Sequence, residues 1–137
     1  MLIGFTGTQN GTTKEQRATG REILTRARDG EFHHGDCIGS DAEFHDLAKE
    51  CGLEPVIHPP SDPSKRAFKE ARIIHPPQPY LVRNHNIVDS TRSLIATPGE
   101  YLEQQRSGTW ATIRYARRLL RPICIIFPNG EITVENR

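Results

Sequence analysis

Apolar residues along this chain gather into short runs, and the polar stretches between them carry helical spacing. Leu2-Ile3-Gly4-Phe5-Thr6 is such a run, ends in Gly7-Thr8, and predicts a strand with a tight turn after it. Thr12-x-x-Glu15 and Thr13-x-x-Gln16 are overlapping capping boxes for a helix running to about Arg28, and Asp29-Gly30 stops it. Glu31 to His34 predicts a second strand, followed by the loop Gly35 to Gly39. Ser40-x-x-Glu43 then predicts a capped helix in which Phe44, Leu47, Ala48 and Cys51 share one face, closed by Gly52. Glu54 to His58 is a third strand cut off by Pro59-Pro60. The fourth is Ser93 to Thr97, after a short helix over Leu81 to Thr91. A last helix begins at Gly108-Thr109 with Ile113, Ala116 and Leu120 as its apolar stripe. Pro122 to Phe127 is a fifth strand, almost wholly apolar as a strand covered on both faces must be, and Glu131 to Glu135 is placed to add an antiparallel one.

Strands alternating with helices predict an α/β fold: a Rossmann-like three-layer sandwich around a mostly parallel five-stranded sheet with right-handed crossovers, order 3-2-1-4-5. Ligands of such sheets bind beyond the carboxyl ends of the strands where the order reverses, here between the first and fourth. That rule brings Gly7-Thr8, Gly35-Asp36, Pro98-Gly99 and Arg106 to Thr109 to one crevice. Residues 59–80 hold most of the prolines, with a helical turn expected around Lys65 to Ala71, and a loop this long predicts a lid or an interface. Within it Ile57-His-Pro-Pro recurs as Ile74-His-Pro-Pro, too short to define a repeat.

Composition narrows the classes. The 137 residues make a single domain, 1–137, and 18 Lys+Arg against 17 Asp+Glu leave a net charge of +1, unlike a protein that coats a polyanion. No apolar run approaches a membrane span, no basic stretch precedes the first strand, and the three dispersed cysteines read as free thiols. A cytoplasmic protein is expected.

Among candidate groups, Arg106-Ser107-Gly108-Thr109 is the most informative. Small residues where a loop enters a helix expose the first backbone N–H groups at the positive end of the helix dipole, an anion seat that Arg106 and a Ser107 or Thr109 hydroxyl complete. The alternative is an ordinary Ser107 cap beside a solvated arginine. Gly7-Thr8 and Gly35 add glycine turns at the same edge, though no G-x-G-x-x-G or Walker loop is present. Asp36 stands where carboxylates hold ribose hydroxyls or, equally, bond their own turn. Arg83-Asn84 offers a bidentate fork for phosphate or a surface arginine. His33-His34-x-Asp36-Cys37 lacks metal-ligand spacing, so no metal and no resident cofactor are expected.

Four stretches together resemble the SLOG superfamily of Rossmann-like nucleotide-binding domains, which includes the "Lonely guy" phosphoribohydrolases and the DNA-processing protein A family. They are Gly4 to Thr8, His34-Gly-Asp-Cys-Ile-Gly-Ser-Asp41, Arg83-Asn84 with Ile87 and Asp89, and Ser107-Gly-Thr-Trp-Ala-Thr-Ile-Arg-Tyr-Ala116. By that resemblance Gly108-Thr109 matches the phosphate-binding Gly-Thr of the phosphoribohydrolases, and Arg83 matches their upstream arginine. Their catalytic glutamate corresponds to Thr112, so their chemistry requires a substitute from Asp36, Asp89, Glu100 or Glu103. Pro98-Gly99 also lies too early for their Pro-Gly-Gly run, which makes this loop an expanded one. The resemblance therefore implies a stand-alone sensor or sequestering protein, rather than an enzyme unless one of those carboxylates substitutes, for a nucleotide or a nucleotide-derived signal of the cyclic ADP-ribose type made in antiviral defence. It also implies a homo-oligomer. Nucleotide N-glycosidic hydrolysis is the alternative. Single-stranded DNA binding comes third, since near-neutral charge and the single Trp110 do not supply a basic groove with stacking rings.

Overall fold

The computed structural model describes residues 1–137. The strands are β1 (Leu2–Gly7), β2 (Glu31–His34), β3 (Glu54–Ile57), β4 (Ile73–Ile74), β5 (Ser93–Thr97), β6 (Ile123–Ile126) and β7 (Ile132–Glu135). The helices are α1 (Lys14–Thr25), α2 (Ser40–Glu50), α3 (Tyr80–Asp89) and α4 (Gly108–Arg118). One sheet holds all the strands in the order β4-β3-β2-β1-β5-β6-β7, parallel except for the β6–β7 pair. The α/β class stands, but the sheet has seven strands rather than five. The five anticipated strands keep their relative order; β7 after the Gly130 turn is the antiparallel edge expected over Glu131 to Glu135, and two-residue β4 inside the proline-rich stretch is the edge that was not expected. That stretch is tied down at several points. β4 pairs with β3, Ile38 N–H donates to Lys65 O at 2.9 Å, and Ala67 N–H donates to Asp36 O at 2.7 Å. Its helical turn is a 3-10 turn at Pro63–Lys65, slightly earlier than expected.

Side-chain alternation along the strands builds two cores. Ile3 and Phe5 of β1, Ile95 of β5 and Ile126 of β6 face α1 and α2, where they meet Leu24, Phe44 and Leu47. Leu94, Ala96, Ile123 and Ile125 face α3 and α4, where they meet Val88, Trp110 and Ile113. Phe5 stacks on Phe44 with ring centroids 4.5 Å apart, and each fully buried phenyl contributes roughly 2–3 kcal/mol. No helix is long and apolar enough to cross a membrane.

The capping expectations resolve unevenly. The Thr13–Gln16 box forms as read, and Gln16 Nε2 also donates to the carbonyls of Pro98 and Ile126, both at 2.9 Å. Ser40 does not cap α2. Gly39 occupies the cap position, and the Ser40 hydroxyl donates to Thr8 O at 2.5 Å instead. Leu120 is also no part of the α4 stripe: the helix ends at Arg118, and Leu120 follows at φ 56 with its side chain 74% exposed. Two arginines of α4 are ion-paired, Arg114 and Arg117 to Glu103, and Arg117 also to Glu135.

Candidate functional site

The chain runs outward from β1 through β2 to β3 and β4, then returns to β5 on the other side of β1. A cleft of about 360 Å³ opens beyond the carboxyl ends of these strands. Its floor is the turn after β1. Thr8 O accepts from Gly11 N, Ser40 N and Ser40 Oγ, which lashes this turn to the start of α2. Gly7 has no room for a side chain, because a Cβ there would lie 2.3 Å from Thr97 Oγ1 and 2.5 Å from Ser40 Cβ.

One wall is the amino end of α4. Ser107 Oγ accepts from Trp110 N at 3.2 Å, and Ser107 O accepts from Ala111 N at 2.9 Å. The N–H groups of Gly108 and Thr109 precede the first intrahelical bonds and remain free for a ligand. Nothing lies within 4 Å of where a Gly108 Cβ would stand, so the cleft is open there. Ser107 is thus a cap, and the residues it leaves bare face the cavity.

The facing wall is Arg83 of α3, 5% exposed. Its Nη1 donates to Gly35 O and to His58 O (3.3 Å), its Nη2 to Cys37 Sγ (3.6 Å) and its Nε to Asn84 Oδ1 (2.8 Å). Every one of these acceptors is neutral, so no carboxylate is bonded to the guanidinium. A Cβ on Gly35 would lie 2.0 Å from Nη1, so glycine is what lets the guanidinium lie flat against the backbone. The Tyr80 ring supports it from 5.2 Å.

Gly7, Thr8, Gly35, Arg83, Asn84, Ser107, Gly108 and Thr109 all line this cleft, whereas Asp36 and Arg106 do not. Asp36 sits at φ 56 with no exposed surface. Its carboxylate accepts from Arg66 Nε at 2.9 Å and Lys69 N at 3.1 Å, so it anchors the proline-rich stretch and offers nothing to a ribose. Arg106 is exposed on the loop before α4. Of the carboxylates weighed as substitutes for the glutamate missing at Thr112, Glu100 alone lines the cleft, held by Trp110 Nε1 at 2.9 Å. Thr112 itself is buried and its hydroxyl donates to Gly108 O at 2.9 Å, along its own helix.

Sequence reasoning passed over Asp41, a buried carboxyl on the cleft wall that accepts from Cys37 N at 3.1 Å. Burial pushes its pKa up to about 6, opposed by the charge of Arg83 and by the Cys37 N–H. The available signal was its place in the first turn of a helix starting at the ligand-binding edge. Because the folded protein holds this proton more tightly than the unfolded chain, Asp41 costs stability as pH rises from about 4 to 6. Asp41→Asn removes that titration. Urea unfolding at pH 5 and pH 7 should show the variant gaining about 1–1.5 kcal/mol on the wild type over the interval; an unchanged difference would place the carboxyl in water.

The reversed sheet order with a cleft at the reversal defines a Rossmann-like α/β protein. Among solved structures, the chain is similar to the molybdenum cofactor binding protein from the phototrophic bacterium Rippkaea orientalis, with a TM-score of 0.69 and 17% identity over 91% of this chain and 75% of that one. At that identity the likeness is one of fold. No family model matches the sequence, and no curated protein matches it.

Proposed function

We propose that the cleft binds a nucleotide or a nucleotide-derived signal molecule by its phosphate, and that the protein acts by holding this ligand, as a sensor or a sequestering protein. The observation that carries the reading is the pairing of two anion-binding devices across one cavity. The free N–H groups of Gly108 and Thr109 stand on one wall, and a buried guanidinium bonded only to neutral acceptors stands on the other. Bringing a phosphate between them neutralises Arg83 and satisfies the helix terminus together. Thr112, buried and turned into its own helix, supports binding over hydrolysis.

Calorimetry against AMP, ADP-ribose, cyclic ADP-ribose isomers and the molybdenum cofactor tests this. At least one phosphorylated compound should bind. Gly108→Asp should abolish the signal while the melting temperature barely moves, because the new side chain enters open space but sets a carboxylate where the phosphate belongs. If nothing in the panel binds at about 100 μM, an affinity of only about −5.5 kcal/mol, the proposal fails. Recovery of free base after prolonged incubation with the nucleotides would instead favour the N-glycosidic alternative, with Glu100 or Asp41 as its carboxylate.

A further inference from the structure

The two Ile-His-Pro-Pro segments, without a role so far, end side by side. β3 and β4 pair in parallel with Ile57 opposite Ile74, so His58 and His75 leave the sheet at the same level and stack with ring centroids 4.3 Å apart. Together with one face of α3 they enclose a second cavity of about 160 Å³, separate from the cleft except that Arg83 borders both. Tyr80, Asn84 and Ile87 point one side of α3 at the cleft, while Asn86, Asp89 and Ser90 turn the neighbouring side to this cavity.

The hydrogen-bond polarity of the cavity is fixed from the far side of the sheet edge. Glu31 Oε1 lies 2.9 Å from His33 Nε2, and His33 Nδ1 lies 2.9 Å from His58 Nε2. A carboxylate only accepts, so Nε2 of His33 carries its proton and Nδ1 is bare; His58 then donates through Nε2 and keeps a lone pair on Nδ1. Burial lowers the pKa of both imidazoles, which keeps them neutral. His58 is 3% exposed, and its Nδ1 has no partner within the protein. The side-chain amides of Gln78 and Asn86, also on the cavity wall, bond to no other side chain. A preset acceptor beside two free carboxamides, between the rings of Pro59 and Pro76, complements a flat molecule with adjacent N–H and C=O groups. We infer that the paired His-Pro-Pro ends form a second binding site, which takes a nucleobase-type heterocycle by its lactam edge, N–H to His58 Nδ1 and C=O to the Asn86 carboxamide.

The test is NMR of the full chain labelled with ¹⁵N, titrated with inosine, which has the lactam edge, and with purine riboside, which lacks it. Inosine should shift the His58 ring nitrogens saturably, and purine riboside should bind at least tenfold more weakly. Asn86→Ala, whose side chain supports nothing else, should weaken inosine tenfold or more at an unchanged melting temperature. Glu31→Gln offers His33 both an acceptor and a donor, so the ring nitrogen shifts should report a mixture of the two His58 tautomers together with weaker inosine binding. The inference is overturned if no histidine signal moves at roughly 10 mM inosine, ten times a millimolar dissociation constant. It is equally overturned if only the cleft amides move, or if Asn86→Ala binds inosine as the wild type does. Inorganic phosphate, added separately, reports on the amides of Gly108 and Thr109, so failure of the cleft reading is seen independently.

Discussion

Taken from pH 7 to pH 5, the protein should lose about 2 kcal/mol of stability through His58 alone, and His34 adds to the loss in the same direction. Both have pKa values lowered by burial, His34 well below the ordinary 6.5 and His58 to about 3. The hydrogen bonds give the reason in atoms. Asp36 N–H donates to His34 Nδ1 at 2.9 Å, so His34 carries its proton on Nε2 and donates to His45 Nδ1 at 2.8 Å. A second proton on His34 would set N–H against N–H. As pH falls through 6.5 the unfolded chain takes up protons that the folded chain refuses, so stability drops with pH over this window. His33 and His45, also lowered, act in the same direction. Asp41 acts in the opposite one, as a single group against four. Since a domain of this size has a total stability on the order of 5–15 kcal/mol, a clear drop in resistance to urea in mild acid is the expected result. Urea midpoints across pH 5 to 7 measure it, and a flat profile would mean that water reaches these imidazoles.

Gly39→Ala should cost about 3 kcal/mol or more and lower the melting temperature by roughly 10 °C. Gly39 caps α2 at φ 92 and ψ −127, a conformation that a side chain strongly opposes. A Cβ there would also lie 2.1 Å from Gln9 O and 2.6 Å from Gln9 C, and a backbone carbonyl cannot swing aside as a side-chain tip can. The Gln9 segment belongs to the turn after β1 that floors the cleft, so the substitution should weaken the proposed phosphate binding as well. Thermal melting and calorimetry read the two effects, and an alanine variant that melts with the wild type would contradict the geometry.

The central strands β1, β5 and β6 were legible because they are mostly apolar runs, and such runs bury wherever they occur. The edge strand β4 was not: Ile73 and Ile74 are nearly half exposed, and what makes them a strand is pairing with β3. The cleft was legible from topology and small residues alone, since Gly7 and Gly35 mark two places where a side chain would collide and Gly108 leaves the helix end open. Side-chain direction was harder. Asp36 looked available from its position after β2, but its positive φ turns it toward Arg66, a partner distant in sequence. Asp41 was hidden for the converse reason, since its setting depends on burial and on Arg83, which local pattern does not report. Ser40 fits a capping box locally, and a tertiary bond to Thr8 O outcompetes it.

The position of Arg83 has one more consequence. A ligand that draws its guanidinium further into the cleft must loosen it from the carbonyls of Gly35 and His58, and His58 walls the second cavity. The two chambers then communicate through one side chain. By thermodynamic reciprocity, whatever factor an occupant of the first imposes on affinity in the second is returned unchanged.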